Sequence, residues 1–144
     1  MVRIRIELPA DFKFSTNIPV RITDLNYGGH VGNDTILSII HEARVQYLNH
    51  FGLKEFYSPA AGLIMSDAAI EFKNELFYGE NLKASVTAGE FTRVGFDLYY
   101  RLEKENGERK ILVALAKTAM VCFDYQKKKM VTVPLEIKTK LELG

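Results

Sequence analysis

The amino-acid sequence predicts an α+β fold in which one long helix lies on an antiparallel β-sheet. Between Asn33 and His50, apolar residues recur with the spacing of one helix face. After Gly62 the period changes to two, and apolar and polar residues alternate as they do in half-buried strands. The order of these segments is one strand, one helix and then four strands that follow one another, which favours antiparallel pairing.

The first strand is predicted over residues 12–23, with an interruption at Pro19. The helix comes next. Its apolar stripe consists of Ile36, Ile39, Ile40, Ala43, Tyr47 and His50. Asn33 or Asp34 is expected to cap the start of the helix, and Gly52 is expected to stop it.

Four strands are predicted after a loop that contains Pro59 and Gly62. They cover residues 70–76, 82–88, 96–102 and 110–123. Gly79, the corner at residues 93–95 and the pair Asn106-Gly107 supply the turns, and the last pair is a strong signal for a short hairpin. Pro134 is expected to open a short C-terminal helical piece, because proline is tolerated at a first helical position.

The last strand is apolar on both faces. One face carries Ile111, Val113, Leu115, Ala119, Val121 and Phe123, and the other carries Leu112, Ala114, Ala116, Met120 and Cys122. A strand of this kind is covered on both sides. Because one helix covers only one side, we expect a second subunit to cover the other, and therefore a homo-oligomer.

Whole-chain properties are those of a single globular domain, residues 1–144. The formal net charge is +1, so neither nucleic acid nor an anionic membrane is an expected partner. Cys122 is the only cysteine, which excludes an internal disulfide and fits a reducing compartment. The N-terminus shows no signal-peptide pattern, and the longest apolar run is only Ile111 to Ala116. We therefore expect a cytoplasmic protein.

The junction between the first strand and the helix reads TDLNYGGHVGND, Thr23 to Asp34. Its glycines have two interpretations: a turn that needs positive φ, or a site where backbone approaches a ligand closely. The start of a helix has unpaired N–H groups and the positive end of the helix dipole, which together suit an oxygen that gains negative charge. His30 beside this helix start favours the second interpretation.

The junction resembles that of the hotdog-fold thioesterases, in the branch of 4-hydroxybenzoyl-CoA and acyl-carrier-protein thioesterases. That branch reads D-x-D-x-x-G-H-V-N-N followed by E-A-R. Here residues 24–33 read DLNYGGHVGN, and Glu42-Ala43-Arg44 follows without a gap. Residues 71–82 are similar to the strand and G-D-x-L turn of the family. The resemblance covers about residues 15–125.

This resemblance implies the hotdog fold, one long central helix wrapped by a five-stranded antiparallel sheet. It implies an acyl-CoA or acyl-carrier-protein thioesterase that works as a homodimer or a dimer of dimers. It implies no resident cofactor, since coenzyme A enters as part of the substrate. No metal is expected, because His41, His50 and Cys122 do not have the spacing of metal ligands. The acyl chain and the choice between coenzyme A and a carrier protein stay open.

Two positions depart from the family pattern. Asn26 stands where relatives have the usual catalytic aspartate, and Gly32 stands in place of the first asparagine after the valine. An amide side chain cannot act as a base, so Asn26 can only orient. We therefore expect either Glu42 or Asp24 to act as the base, or a water held by main-chain amides to attack.

The resemblance also implies the remaining site residues. The amide near Asn33 would polarise the thioester carbonyl, and His30 would orient substrate or water, shuttle a proton, or serve only the loop structure. Asp34 most simply complements the helix dipole. The expected substrate-binding residues are Gly28, Gly29, Val31, Gly32, Asn33 and Asp34, with Asp67 reaching across the subunit interface.

Two other functions fit the same pattern. A non-catalytic acyl-thioester binding protein would keep the pocket and lack the carboxylate at position 26. An enoyl-CoA hydratase is the other, although it usually requires an Asp/His pair that the loop does not contain.

Overall fold

A computed structural model describes all 144 residues of the chain. Its helices are α1 (Asn33–His50) and α2 (Leu135–Leu143), and a 3₁₀ turn covers Ile22–Asp24. Its strands are β1 (Phe14–Pro19), β2 (Ala61–Phe72), β3 (Asn81–Gly89), β4 (Gly95–Asn106), β5 (Arg109–Asp124) and β6 (Lys129–Met130). They form one antiparallel sheet in the order β1-β3-β4-β5-β2, and the two-residue β6 pairs with the end of β5. The predicted α+β class is confirmed.

Helix α1 lies on the inner face of the sheet and fills the core. Ile36, Ile39, Ile40, Ala43 and Tyr47, the predicted stripe without His50, are all buried. The sheet meets them with the inward-facing residues of its central strands, among them Leu82, Val86, Leu98, Leu102 and Ala116. Because each fully buried side chain of this size stabilises the fold by about 1.5–3 kcal/mol, this packing fixes where α1 begins and ends.

A buried polar network joins the middle of α1 to the sheet. The Arg44 Nε donates to Glu55 Oε1 at 3.0 Å, and its Nη1 lies 3.5 Å from the hydroxyl of Tyr100. That hydroxyl is in turn 2.7 Å from Thr118 Oγ1. Arg44, Tyr100 and Thr118 are all buried, so the network specifies how the helix is oriented on β4 and β5.

The strand that follows α1 differs from the prediction. It begins at Ala61 and ends at Phe72, so most of the predicted segment 70–76 lies beyond it. Gly62 is a strand residue, not a loop residue, and a β-carbon there would lie 3.1 Å from the carbonyl oxygen of Glu55. A register shift between Met65 and Asp67 interrupts the alternation that reveals a strand in the sequence.

The outer face of the sheet is partly covered by the chain's own first 13 residues. The N–H of Ile6 donates to Glu71 Oε2 at 2.7 Å, which lowers the pKa of Glu71. Farther along, the Arg101 guanidinium lies 4.6 Å from the ring centroid of Phe12. Ser85, which faces outward on β3, is only 1% exposed. We expected a second subunit to cover this face, and the N-terminal segment supplies part of that cover.

The hairpin turn at Asn106-Gly107 forms as predicted. Asn106 pairs with Arg109, and Gly107 has a φ of 67°, a value that favours glycine. No helix in the structure is both long enough and apolar enough to cross a membrane.

Gly95, the first residue of β4, allows a close backbone approach that should make it irreplaceable. A β-carbon at this position would overlap the carbonyl oxygen of Met120 on β5. We expect Gly95→Ala to lower the free energy of unfolding by about 2–3 kcal/mol, because the two strands must separate to accommodate the methyl group.

Gly89→Ala on β3 is the matched control, since its β-carbon would meet only Tyr99 Cε2 at 3.4 Å. We expect it to change stability by less than about 1 kcal/mol. Denaturant unfolding of both variants measures the difference, and equal losses would contradict the proposed close contact.

Candidate functional site

The loop before α1 folds into a tight hairpin. The N–H of Asn26 donates to the carbonyl of His30 at 2.8 Å, and the N–H of Gly29 donates to the carbonyl of Asn26 at 3.1 Å. Gly29 has a φ of 85°, so the turn itself requires glycine there. Gly32 has a φ of −69°, which any residue adopts, so backbone conformation does not explain that glycine.

The start of α1 has no side-chain cap. Gly32 occupies the N-cap position, and its carbonyl accepts the N–H groups of Thr35 and Ile36 at 3.0 and 3.2 Å. The predicted caps, Asn33 and Asp34, are instead the first two residues of the helix, because the hairpin brings Gly32 to the position where helical geometry begins. The main-chain N–H groups of Asn33 and Asp34 have no acceptor in the protein. Two donors at the positive end of the helix dipole are therefore free.

A cavity of about 220 Å³ lies beside this helix start. The N–H of Val31 donates to the carbonyl of Leu76 at 2.8 Å and so joins the hairpin to the loop that follows β2. The apolar part of the cavity wall is formed by Val31, Ile36, Phe72, Leu76 and Val113, and the polar part by His30, Asn33, Lys73, Asn74 and Glu75. An apolar cavity with a few polar groups at one end is the usual form of a small-molecule site.

His30 and Asn26 lie on either side of Gly28. His30 Nδ1 is 3.1 Å from the carbonyl oxygen of Val31, which indicates that Nδ1 carries the proton and leaves Nε2 as an acceptor. Asn26 Oδ1 accepts the N–H of Gly28 at 2.9 Å. A β-carbon at Gly28 would lie 3.2 Å from Asn26 Oδ1 and 3.6 Å from His30 Nε2, so glycine keeps both side chains close to the hairpin.

The two expected bases lie elsewhere. Asp24 is 5% exposed, and its carboxylate accepts the main-chain N–H of Arg21 at 2.8 Å and its guanidinium at 3.1 Å. Glu42 accepts the amide of Gln46 at 2.8 Å and lies about 13 Å along the helix axis from Asn33. Asp24 and Glu42 instead line a second cavity of about 300 Å³ on the β1 side of the helix.

Asp67 is also apart from the helix start. Its Oδ1 pairs with Lys117 Nζ at 3.0 Å, on the outer face of the sheet. The structure therefore brings together the continuous run from Asn26 to Asp34, which contains the other predicted site residues. Within this run Val31 is buried and belongs to the core as well as to the apolar wall of the cavity.

The loop after β2 is the part of the site that sequence reasoning missed. Lys73 and Glu75 line the same cavity as His30 and Asn33, yet the alternating pattern assigned them to a strand. The break in that alternation at Asn74 was the available signal. In the structure Asn74 Nδ2 donates to the carbonyl of Leu112 at 2.7 Å and turns the chain away from the sheet.

Comparisons with known proteins agree with the fold. The model of the thioesterase-like superfamily matches residues 20–141. A 1,4-dihydroxy-2-naphthoyl-CoA hydrolase of Microcystis aeruginosa is 32% identical over 123 residues, which are 83% of this chain and 86% of the relative. A 1,4-dihydroxy-2-naphthoyl-CoA hydrolase of Thermosynechococcus vestitus is 30% identical over 119 residues, which are 80% of this chain and 79% of the relative.

Solved structures show the same architecture. A 1,4-dihydroxy-2-naphthoyl-CoA thioesterase from Synechocystis superposes with a TM-score of 0.81 at 23% identity, over 89% of this chain and 94% of that one. A hypothetical protein from Thermus thermophilus superposes with a TM-score of 0.79 at 21% identity, over 90% of this chain and 97% of that one. At these identities the likeness demonstrates the fold, and the hotdog architecture predicted from the sequence is confirmed.

The contacts of Asp24 assign it a structural role that stability measurements can test. Asp24→Ala removes the acceptor for the Arg21 N–H at the start of the 3₁₀ turn, and we expect a loss of about 1–2 kcal/mol in the free energy of unfolding. Arg21→Met is the control. It removes only an ion pair whose arginine is 74% exposed, so its cost should be below about 1 kcal/mol. Equal losses in thermal unfolding would show that the main-chain hydrogen bond has no special weight.

Proposed function

The chain belongs to the thioesterase-like superfamily, and on that premise we propose that it hydrolyses an acyl-coenzyme A to a carboxylic acid and free coenzyme A. The observation that carries this proposal is the uncapped start of α1. The N–H groups of Asn33 and Asp34 are free, and the cavity next to them is lined by Asn33 itself. An acyl oxygen that accepts these N–H groups places its carbonyl carbon beside His30.

Thioester hydrolysis suits a site of this kind. A thiolate is a good leaving group because its conjugate acid has a pKa of about 8.5, so protonation of the leaving group matters little. The main demand is stabilisation of the negative charge that develops on the acyl oxygen. A single preorganised donor supplies about 3–4 kcal/mol of transition-state stabilisation, and the helix start offers two.

Side chains of the hairpin would place the other reactant. His30 Nε2 has no partner in the protein and can accept a hydrogen bond from water. The amide of Asn26 can orient the water or the substrate but cannot remove a proton. We propose that a carboxylate at another position removes the proton of the water.

An aromatic acyl group is the substrate class with most support. The two curated relatives are named as hydrolases of a bicyclic aromatic acyl-CoA. The cavity wall formed by Ile36, Phe72, Leu76 and Val113 is apolar and adjoins the free N–H groups. Aromatic rings bury a large apolar area against such a wall.

Asn33→Pro tests the role of the main-chain donor directly. Proline lacks the N–H, and it is well tolerated at the first position of a helix, which Asn33 occupies. Gly32 already has the extended ψ of 152° that precedes proline readily. We expect Asn33→Pro to lower kcat about 100- to 1,000-fold on an aromatic acyl-CoA, with the fold preserved.

Asn33→Ala keeps the N–H and should stay within a few fold of the wild type. Thiol release from benzoyl-, naphthoyl- and straight-chain acyl-CoAs, followed with a thiol reagent, measures these rates. No hydrolysis of any thioester above background by the wild type would refute the proposed activity. Tight binding of an acyl-CoA without turnover would identify a binding protein. The amide at position 26, which cannot act as a base, is the observation that favours this alternative.

We further propose that the active form is a homodimer joined through β2. This strand is an edge of the sheet, and its twelve residues leave their outer N–H and C=O groups without strand partners. Exposed apolar side chains lie along it, namely Met65 and Phe72, and Leu37 is exposed on α1. Antiparallel pairing of two β2 strands would cover this edge and close the cavity near Phe72.

Met65→Lys tests this interface. A charge on the central part of β2 should prevent pairing, so we expect the variant to sediment as a monomer at concentrations where the wild type is a dimer. Met130→Lys on β6 is the control, because Met130 is also exposed, 57% against 40% for Met65, and β6 pairs with β5 without taking part in the β2 edge. A monomeric wild type, or a dimeric Met65→Lys variant, would contradict the interface.

A further inference from the structure

We propose that Asp34 is the general base of this site: its carboxylate, placed beside Asn26 in the space left open at Gly32, removes the proton of the attacking water. The inference rests on the proposed thioester hydrolysis and identifies the residue that the reaction requires. It assigns to Asp34 a role in the chemistry, beyond the favourable placement of an acidic residue at a helix start.

Gly32 marks where this carboxylate lies. A β-carbon at Gly32 would be 2.6 Å from Asp34 Oδ1 and 3.7 Å from the β-carbon of Asn26. Real β-carbons do not approach an oxygen so closely, so any side chain at position 32 would displace the carboxylate. Since the backbone angles of Gly32 suit any residue, room for Asp34 is the physical reason for glycine.

The other predicted carboxylates are engaged or distant. Asp24 accepts two hydrogen bonds from Arg21, and Asp67 pairs with Lys117. Glu42 accepts the amide of Gln46 and lies in the cavity on the β1 side. The carboxylate of Asp34 makes no hydrogen bond or ion pair with the rest of the protein, so it is free to accept a proton.

Asp34 also has the right position relative to the free donors. Its own N–H is one of the two at the helix start, and its side chain bends back over Gly32, the residue before Asn33. One turn of the helix therefore carries both the oxyanion donors and the carboxylate, which places the two groups next to each other. Glu75 is the one carboxylate among the residues that line the cavity, and both it and Asp34 are exposed. Glu75 lies on the loop after β2, whereas Asp34 lies in the first turn of the helix beside Asn26.

The step conserves atoms and charge. A water oxygen forms a bond to the thioester carbon while Asp34 takes one of its protons, and the carbonyl π electrons move to the acyl oxygen held by the N–H groups of Asn33 and Asp34. When this tetrahedral intermediate collapses, the carbon–sulfur bond breaks and its electron pair leaves with the sulfur. The proton on Asp34 then passes to the thiolate or to solvent, and the carboxylate is restored.

The test moves the carboxylate from position 34 to position 26. We expect Asp34→Asn to lower kcat at least 100-fold on the best acyl-CoA, while the Kd for a non-hydrolysable thioether analogue changes less than threefold. The double variant Asn26→Asp/Asp34→Asn should have a kcat at least tenfold higher than that of Asp34→Asn, because position 26 borders the same space. Recovered activity also shows that the Asp34→Asn chain folds.

Gly32→Ala supplies a second measurement. It should lower kcat in the wild-type background, where the methyl group displaces the Asp34 carboxylate. In the double-variant background, where the base is at position 26, it should have a smaller effect.

Glu75→Gln tests the rival carboxylate, and it should lower kcat much less than Asp34→Asn does. Full activity of Asp34→Asn would overturn the inference and leave the thioesterase proposal intact, and loss of activity in Glu75→Gln alone would assign the base to Glu75. A wild type without hydrolysis of any thioester would instead overturn the proposed function, and the inference with it.

Discussion

One main-chain hydrogen bond, from the N–H of Val31 to the carbonyl of Leu76, holds the candidate site together. Val31 ends the hairpin before α1, and Leu76 lies in the loop after β2, so the bond joins two segments that are distant in the chain. Both side chains are buried, which excludes water from the bond and strengthens it. The cavity exists because this contact holds the loop against the first turn of the helix. Without it the free N–H groups of that turn would face open solvent, where competition from water weakens any interaction with an acyl oxygen.

The fold supplies enough stability elsewhere to leave the helix start uncapped. A side-chain cap in place of Gly32 would stabilise the helix by only about a few tenths of a kcal/mol, and the chain forgoes it. The buried stripe of α1 and the network of Arg44 with Glu55 and Tyr100 hold the helix on the sheet instead. Rigid packing in the second half of the helix thus positions donors in its first turn. Free polar groups on an otherwise satisfied helix are characteristic of a place where a ligand completes the hydrogen bonding.

Local patterns predicted those parts of the molecule whose conformation is decided locally. The apolar period of 3.6 gave both ends of α1, and Asn106-Gly107 gave the β4–β5 hairpin, because each signal involves neighbouring residues. The pattern failed for β2, whose register shift after Met65 and buried Gly62 are set by contacts with β5 and with Glu55. It failed likewise for the N-terminal segment, which contacts Glu71 and Arg101 on the outer face of the sheet and which no periodicity reveals. In the site, the sequence indicated the hairpin and its glycines correctly but misplaced the caps. It also gave no means to know that Asp24 is already occupied by Arg21, since that contact depends on a 3₁₀ turn.

The two departures from the family pattern, Asn26 and Gly32, lie next to each other in the structure. Asn26 cannot ionise, and Gly32 has no side chain, but the two residues border the same small volume, and Asp34 occupies it. A site whose electrophilic part consists of main-chain N–H groups does not depend on any one side chain for that part. The carboxylate that acts as the base can therefore come from position 26 or from position 34, provided that the residue at position 32 leaves room for it. Glycine at position 32 provides that room, so the amide at 26, the glycine at 32 and the acid at 34 form one physical arrangement. Under the role proposed for Asp34, glycine at position 32 is needed to leave room for its carboxylate, and position 26 does not need to supply one.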